Sequence, residues 1–98
     1  METLSASEVQ DKLRQLPGWG LENGSIGRKF TFPGFADAVA FVVRLSFAAE
    51  AADHHPDILI NYKRVTLTFS THSDGGLTEK DFAGAEAATR IALALGAS

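Results

Sequence analysis

The chain contains no cysteine among its 98 residues. This absence excludes disulfide bonds, thiolate nucleophiles, iron–sulfur clusters and zinc ribbons, and it is compatible with a reducing compartment. The chain also has few basic residues. It contains 9 Lys and Arg against 12 Asp and Glu, and its formal net charge is −3. Nucleic-acid-binding domains normally carry a basic patch, so we expect no nucleic-acid partner.

Long apolar runs are missing as well. No run reaches the roughly 18 residues that a membrane span requires, and residues 1–16 lack the basic start and apolar stretch of a signal peptide. We therefore expect a cytoplasmic protein without a membrane partner. The hydrophobic content of 45% is high enough to build a core. Residues 1–98 are accordingly predicted to form a single domain.

Turn and helix-breaking residues divide the chain into three helices and four strands. Asn23-Gly24 is a strong hairpin signal, and the uninterrupted run after Pro33-Gly34 is too long for an ordinary strand. Thr78 and Asp81 form a capping-box pattern, and Gly96 is suited to end the last helix. The predicted elements are a helix capped by Ser5 or Ser7 and ending near Leu16, strands 19–22 and 25–32, a helix from Phe35 to about His54, strands 58–62 and 65–71, and a helix from Thr78.

The fourth predicted strand alternates between apolar and polar residues. Val65, Leu67 and Phe69 share one face, and the residues between them are threonines. A single apolar face predicts a sheet that helices cover on one side only. The sequence therefore predicts an α+β domain of order α-β-β-α-β-β-α, with a four-stranded antiparallel sheet and helices packed on one face.

All three histidines fall close to this strand pair. His54 and His55 end the central helix, and His72 follows the fourth strand. The start of the third strand should lie opposite the end of the fourth, which brings His72 near the other two. Since the unperturbed pKa of imidazole is about 6.5, such groups exchange protons near neutrality. The cluster is a candidate site for general acid–base catalysis.

Acidic residues accompany the histidines. Glu50 lies four residues before His54 on the same helix face, so its carboxylate is expected to orient that imidazole and stabilise its charged form. Asp53 could serve His55 in the same way. Asp81 could serve the site or act only as the cap of the last helix, and the sequence does not separate these roles.

Two further positions flank this cluster. Pro56 disfavours a helical conformation for the residue before it, so that residue is expected to be extended. Tyr62 is expected to fill the core at the end of the third strand.

The spacing Glu50-x3-His54-His55-Pro56-x5-Tyr62-x9-His72-x8-Asp81 resembles the signature of the pterin-4a-carbinolamine dehydratases. The resemblance implies an enzyme that needs no cofactor and no metal. Such an enzyme dehydrates 4a-hydroxytetrahydropterin, a product of aromatic amino acid hydroxylases, to quinonoid dihydropterin and water.

Carried over by position, the resemblance also implies roles for individual residues. The catalytic and pterin-contacting residues would be His54, His55 and His72. The supporting positions would be Glu50, Asp53, Pro56 and Asp81. One position departs from the family pattern, because many relatives have tryptophan where this chain has Ile58, and the contribution of that ring to substrate fit would be lost.

Two other classes of function remain open from the sequence. Three histidines could bind a metal as in zinc hydrolases, although adjacent histidines are awkward chelators. The chain could instead be a dimerisation or binding module that stabilises a partner protein. The alanine-rich last helix allows close helix packing within the domain or between subunits, and we expect a homo-oligomer, either a dimer or a tetramer.

Overall fold

Three helices and four strands make up the computed structural model, which describes residues 2–71 and 74–98. The elements are α1 (Ala6–Arg14), β1 (Gly20–Glu22), β2 (Ser25–Thr31), α2 (Phe35–Ala52), β3 (Asp57–Asn61), β4 (Arg64–Phe69) and α3 (Glu79–Ala94). The strands form one antiparallel sheet in the order β1-β2-β4-β3. The predicted α+β fold and the predicted order of elements are confirmed.

Strand β4 is central and follows the predicted alternation. Val65, Leu67 and Phe69 are buried, whereas the residues between them are half-exposed. In the register with β3, Asp57 lies opposite Thr68. The residues that precede β3 and those that follow β4 therefore lie at the same end of the sheet, which is where the candidate site forms.

The core is aromatic and closely packed against α3. The rings of Trp19 and Phe69 have centroids 6.0 Å apart, and the indole N–H of Trp19 donates to the hydroxyl of Thr89 at 2.9 Å. Gly84 on α3 lies directly over the Phe69 ring, because a Cβ at this position would fall 2.5 Å from a ring carbon. Helix α3 approaches the sheet this closely only because position 84 has no side chain.

Helix α2 ends at Ala52, slightly before the predicted end at His54. Asp53 adopts the left-handed conformation, with φ of 50°. Its N–H donates to Glu50 O, and the N–H of His54 donates to Ala49 O. These two bonds form a Schellman motif, in which aspartate occupies the position that glycine usually takes.

The turn between β3 and β4 lies at residues 62–63, one residue earlier than predicted. Tyr62 also adopts a left-handed conformation, with φ of 55°, and it is 61% exposed. The expectation that Tyr62 fills the core was wrong, because a residue at the tip of a hairpin points away from the sheet.

No helix within the described residues is long and apolar enough to cross a membrane. The cytoplasmic location stays a prediction from the sequence.

Candidate functional site

Asp81 is the centre of a buried polar network in the first turn of α3. Its side chain is fully buried, and its two oxygens have different partners. Oδ1 lies 2.6 Å from Nε2 of His54. Oδ2 accepts hydrogen bonds from the hydroxyl of Thr71 at 2.7 Å and from the backbone N–H of Thr78 at 3.0 Å. One carboxylate therefore caps a helix and holds a histidine.

The capping box that the sequence predicted is present. The hydroxyl of Thr78 accepts the N–H of Lys80 at 3.2 Å, and it lies 3.1 Å from the hydroxyl of Thr71. Since a hydroxyl both donates and accepts, the two threonines can satisfy the buried carboxylate and each other together. Asp81 caps the helix through Oδ2 and contacts His54 through Oδ1, so capping does not prevent it from serving the candidate site.

His54 is held on its other side by an aromatic ring. Its imidazole stacks on Phe69, with centroids 5.9 Å apart and an angle of 24° between the planes. Only 12% of the side chain is exposed. The Schellman motif directs His54 toward the start of α3. The position of the imidazole is therefore fixed by this turn, by the Phe69 ring and by the Asp81 carboxylate.

His55 faces the opposite side of the same turn. Its Nε2 lies 2.7 Å from Oε2 of Glu50, and both side chains are largely exposed, at 55% and 76% respectively. The expectation that Glu50 holds His54 was therefore wrong. The left-handed turn at Asp53 breaks the helical phase, so the residue that follows the turn no longer lies above Glu50.

Asp53 was expected to serve His55, but the structure gives it a backbone role instead. Within residues 2–71 and 74–98, the Asp53 carboxylate makes no hydrogen bond or ion pair, and its N–H completes the helix end. His72 lies outside the described residues, so its predicted convergence with the other histidines stays a prediction. Thr71, which precedes it, belongs to the buried network.

Two cavities open on either side of the histidine pair. An apolar cleft of about 130 Å³ lies between α2 and α3, with His54 and Phe69 among its lining residues. An open groove of about 550 Å³ lies between α2 and the start of β3. The groove is lined by Phe47, Glu50, His55, Pro56 and Ile58, together with residues of α2.

Metal ligands are not grouped in the part of the chain that the structure describes, where no set of three or more His, Asp or Glu side chains could hold an ion. The histidines seen in that part are instead each paired with one carboxylate.

Sequence reasoning assigned no role to Thr71, although a signal for one was present. Residues 65, 67, 69 and 71 share one face if the strand pattern is continued, and Thr71 is a polar residue at the last of these inward positions. A buried polar group requires a hydrogen-bond partner. The pattern thus indicated a partner without revealing that it would be Asp81, which lies on another element.

Comparisons with known proteins point to one family. The family model described as pterin 4 alpha carbinolamine dehydratase matches residues 2–91. A protein of Chloroflexus aurantiacus, named provisionally as a pterin-4-alpha-carbinolamine dehydratase, is 53% identical over 91 residues, which are 93% of this chain and 98% of the relative. A Sulfolobus acidocaldarius protein of the same provisional name is 43% identical, covering 81% of this chain and 87% of its own.

Solved structures show the same fold. A protein from Brucella melitensis, described as a transcriptional coactivator/pterin dehydratase, superposes with a TM-score of 0.89 at 38% identity, covering 93% of this chain and 99% of the other. A pterin dehydratase-like protein described as a RuBisCO assembly factor in the alpha-carboxysome superposes with a TM-score of 0.64 at 23% identity, covering 76% and 86% of the two chains. The second likeness concerns the fold alone. The family-model match and these relatives show that the chain belongs to the pterin-4-alpha-carbinolamine dehydratase family.

Proposed function

We propose that this protein dehydrates 4a-hydroxytetrahydropterin to quinonoid dihydropterin and water, and so recycles the pterin of aromatic amino acid hydroxylases. The observation that carries the proposal is the pairing of two adjacent histidines with separate carboxylates, His54 with Asp81 and His55 with Glu50. Family membership supports the same reaction.

The chemistry of this dehydration matches the groups present. The bond between C4a and its hydroxyl oxygen breaks, one proton is delivered to the departing oxygen, and one proton is removed from the ring. The electron pair of the broken bond leaves with the oxygen as water. An imidazole beside a carboxylate can donate or accept a proton near neutrality, and each such group typically contributes about 10²- to 10⁴-fold. In this proposal His54, His55 and His72 share the two transfers.

We place the substrate ring at the turn that carries both histidines, with most of it in the groove on the His55 side and one edge toward the cleft that His54 lines. The groove volume of about 550 Å³ lies within the range usual for small-molecule sites. The cleft on the His54 side is smaller and apolar, and it offers few partners for the amide and amine edges of a pterin. Ile58 lines the groove at the position where many relatives have tryptophan, so this chain packs an aliphatic side chain there.

We further propose that the protein is a homo-oligomer. A stripe on α2 leaves large apolar side chains exposed at every fourth residue, namely Phe35, Val39, Val43 and Phe47. Strand β3 is at the sheet edge, and its residues are exposed along the whole strand. Contiguous exposed apolar surface on a small protein marks an interaction site. Sedimentation at micromolar concentration should give the mass of a dimer or tetramer, and a monomer at all concentrations would contradict this part of the proposal.

A direct dehydration assay tests the proposed reaction. Freshly generated 4a-hydroxytetrahydropterin should lose water faster with the protein than without it, and the acceleration should persist after exhaustive chelation. The matched control is the His54→Gln/His55→Gln variant, which keeps amide donors in place of the imidazoles. Equal rates for the native protein, the variant and buffer would contradict the proposal and favour a binding module. Loss of activity on chelation, restored by one divalent ion, would favour a metalloenzyme.

A further inference from the structure

Thr71 makes a contact that the proposed reaction does not by itself require. Its hydroxyl donates to Oδ2 of Asp81 at 2.7 Å, while Oδ1 of the same carboxylate contacts His54. Thr71 is buried and lies just beyond the end of β4 at Phe69. The hydroxyl thus lies two hydrogen bonds from the imidazole, on the side of the carboxylate away from it.

The carboxylate constrains the proton position on His54. Oδ2 already accepts two hydrogen bonds, and an ionised carboxylate only accepts, so with Asp81 ionised the contact at 2.6 Å places a proton on Nε2 of His54. Within the described residues, Nδ1 makes no hydrogen bond, and no buried polar side-chain atom lacks a partner. Nδ1 is then the nitrogen left for exchange with a ligand.

Oδ2 has to be held for this arrangement to persist. A carboxylate rotates about its Cβ–Cγ bond unless both oxygens are anchored, and this terminal torsion is broad in aspartate. Thr71, which follows β4, and the N–H of Thr78, the N-cap residue of α3, anchor Oδ2 from the ends of two elements. The bond from the Thr78 N–H belongs to the helix cap. The bond from the Thr71 hydroxyl instead connects the carboxylate to the segment that follows β4.

We infer that Thr71 is a positioning residue, which acts through Asp81 to fix the orientation of His54 with its proton on Nε2, so that His54 exchanges protons through Nδ1. The consequence for turnover rests on the proposed dehydration. The claim about the imidazole does not, because it concerns the protein without substrate.

The chain contains its own control for an effect of helix capping. Helix α1 has a second capping box, in which the hydroxyl of Ser5 accepts the N–H of Glu8 and the carboxylate of Glu8 accepts the N–H of Ser5. That box is exposed, and its hydrogen bonds involve neither His54 nor His55. Ser5→Ala should lower stability without altering His54, and Thr71→Val should alter His54.

The experiment compares Thr71→Val, which keeps the shape and removes the hydroxyl, with Thr71→Ser, which keeps the hydroxyl. We expect Thr71→Val to lower kcat by about 10- to 100-fold, the range found for partners that orient metal-bound histidines. Thr71→Ser should restore most of this activity, and Ser5→Ala should leave kcat unchanged. Native kcat in Thr71→Val, or equal losses in the valine and serine variants, would overturn the inference.

Nitrogen-15 NMR of the histidine rings gives a readout that needs neither substrate nor a folded variant. In the native protein above the titration range of His54, the spectrum should show the neutral form protonated on Nε2. Protonation on Nδ1 would overturn the inference even if Thr71→Val does not fold. A native protein with the expected spectrum but no dehydratase activity would contradict the proposed function and leave the positioning role intact.

Discussion

Two histidine–carboxylate pairs lie on either side of one turn and differ in almost every physical respect. In the pair of His54 and Asp81, the carboxylate is fully buried, has three hydrogen-bond partners and comes from a different element. In the pair of His55 and Glu50, both side chains are largely exposed, and the two residues are close in sequence. Similar distances, 2.6 and 2.7 Å, therefore describe unequal interactions.

The difference shows what the surroundings add to a contact. An exposed pair exchanges hydrogen bonds with water and contributes little to stability, but its imidazole can move with a ligand. A buried carboxylate with all its partners in place is fixed before a ligand arrives, and preorganised groups of this kind need no reorganisation during a reaction. The structure thus offers a rigid imidazole, His54, beside the apolar cleft and an adaptable one, His55, beside the groove.

The largest expected effect is on catalysis. His54→Gln should lower kcat by about 10²- to 10⁴-fold, because the amide can still donate to Asp81 but cannot transfer a proton. His55→Gln should have a smaller effect, since the exposed pair is less preorganised. Dehydration assays on both variants, with circular dichroism as the control for folding, check the order. A greater loss of kcat in His55→Gln than in His54→Gln would show that burial does not decide which pair contributes more to catalysis.

The next effect is on stability. Asp81→Ala should lower the free energy of unfolding by about 2–4 kcal/mol, because it removes a helix cap and leaves buried hydroxyl and imidazole groups without an acceptor. Glu50→Ala should lower it by at most about 1 kcal/mol, since the pair is exposed. Urea denaturation of the two variants measures both values. Equal losses would mean that the buried network contributes no more than the surface pair.

The turn that separates the two pairs gives a smaller effect. Asp53 adopts a left-handed conformation that is unfavourable for a residue with a Cβ and favourable for glycine. Asp53→Gly should therefore raise the free energy of unfolding by up to about 1 kcal/mol. Asp53→Ala should lower it, because alanine has a Cβ and no polar side chain. If Asp53→Gly is more stable but less active, the carboxylate of Asp53 contributes to the site. Unchanged activity would assign it to the turn alone.

The smallest effect concerns pH and the exposed capping box of α1. The backbone N–H of Ser5, followed by its hydroxyl, lowers the pKa of Glu8. Because the pKa in the folded state lies below that of the unfolded chain, the contribution of Glu8 to stability is complete above the unfolded value and is lost as pH falls through the folded value. The stability difference between the native protein and Glu8→Gln should therefore shrink on acidification. A difference independent of pH would show that the charge of Glu8 is irrelevant to the cap.

Much of the fold was predictable from local patterns. Asn23-Gly24 located the first hairpin, the alternation from Val65 to Phe69 located the central strand, and Thr78 with Asp81 located the start of α3. Each of these depends on residues that are neighbours in sequence. The positions of the β3–β4 turn and of the end of α2 were predicted incorrectly. Both involve a non-glycine residue in a left-handed conformation, Tyr62 and Asp53, which sequence patterns rarely indicate.

The sequence predicted that histidines and carboxylates would lie together, but it did not predict how they pair. Sequence spacing selected Glu50, His54, His55 and Asp81, and the structure brings these four into two pairs. The predicted pairing of Glu50 with His54 was wrong, because the helix ends at Ala52 and does not continue through His54. The contact with Asp81 joins residues 27 positions apart, and only the packing of α3 against the sheet determines it.

The contact between Gly84 and Phe69 has a consequence for how this sequence can diverge. Any side chain at position 84 would enter the space of the Phe69 ring, and that ring carries the stacked imidazole of His54. A larger residue at position 84 fits only if the residue at position 69 becomes smaller. The summed volume of the two side chains then stays about the same. Among homologous sequences, these two positions should therefore vary jointly, although neither residue carries a group that transfers protons.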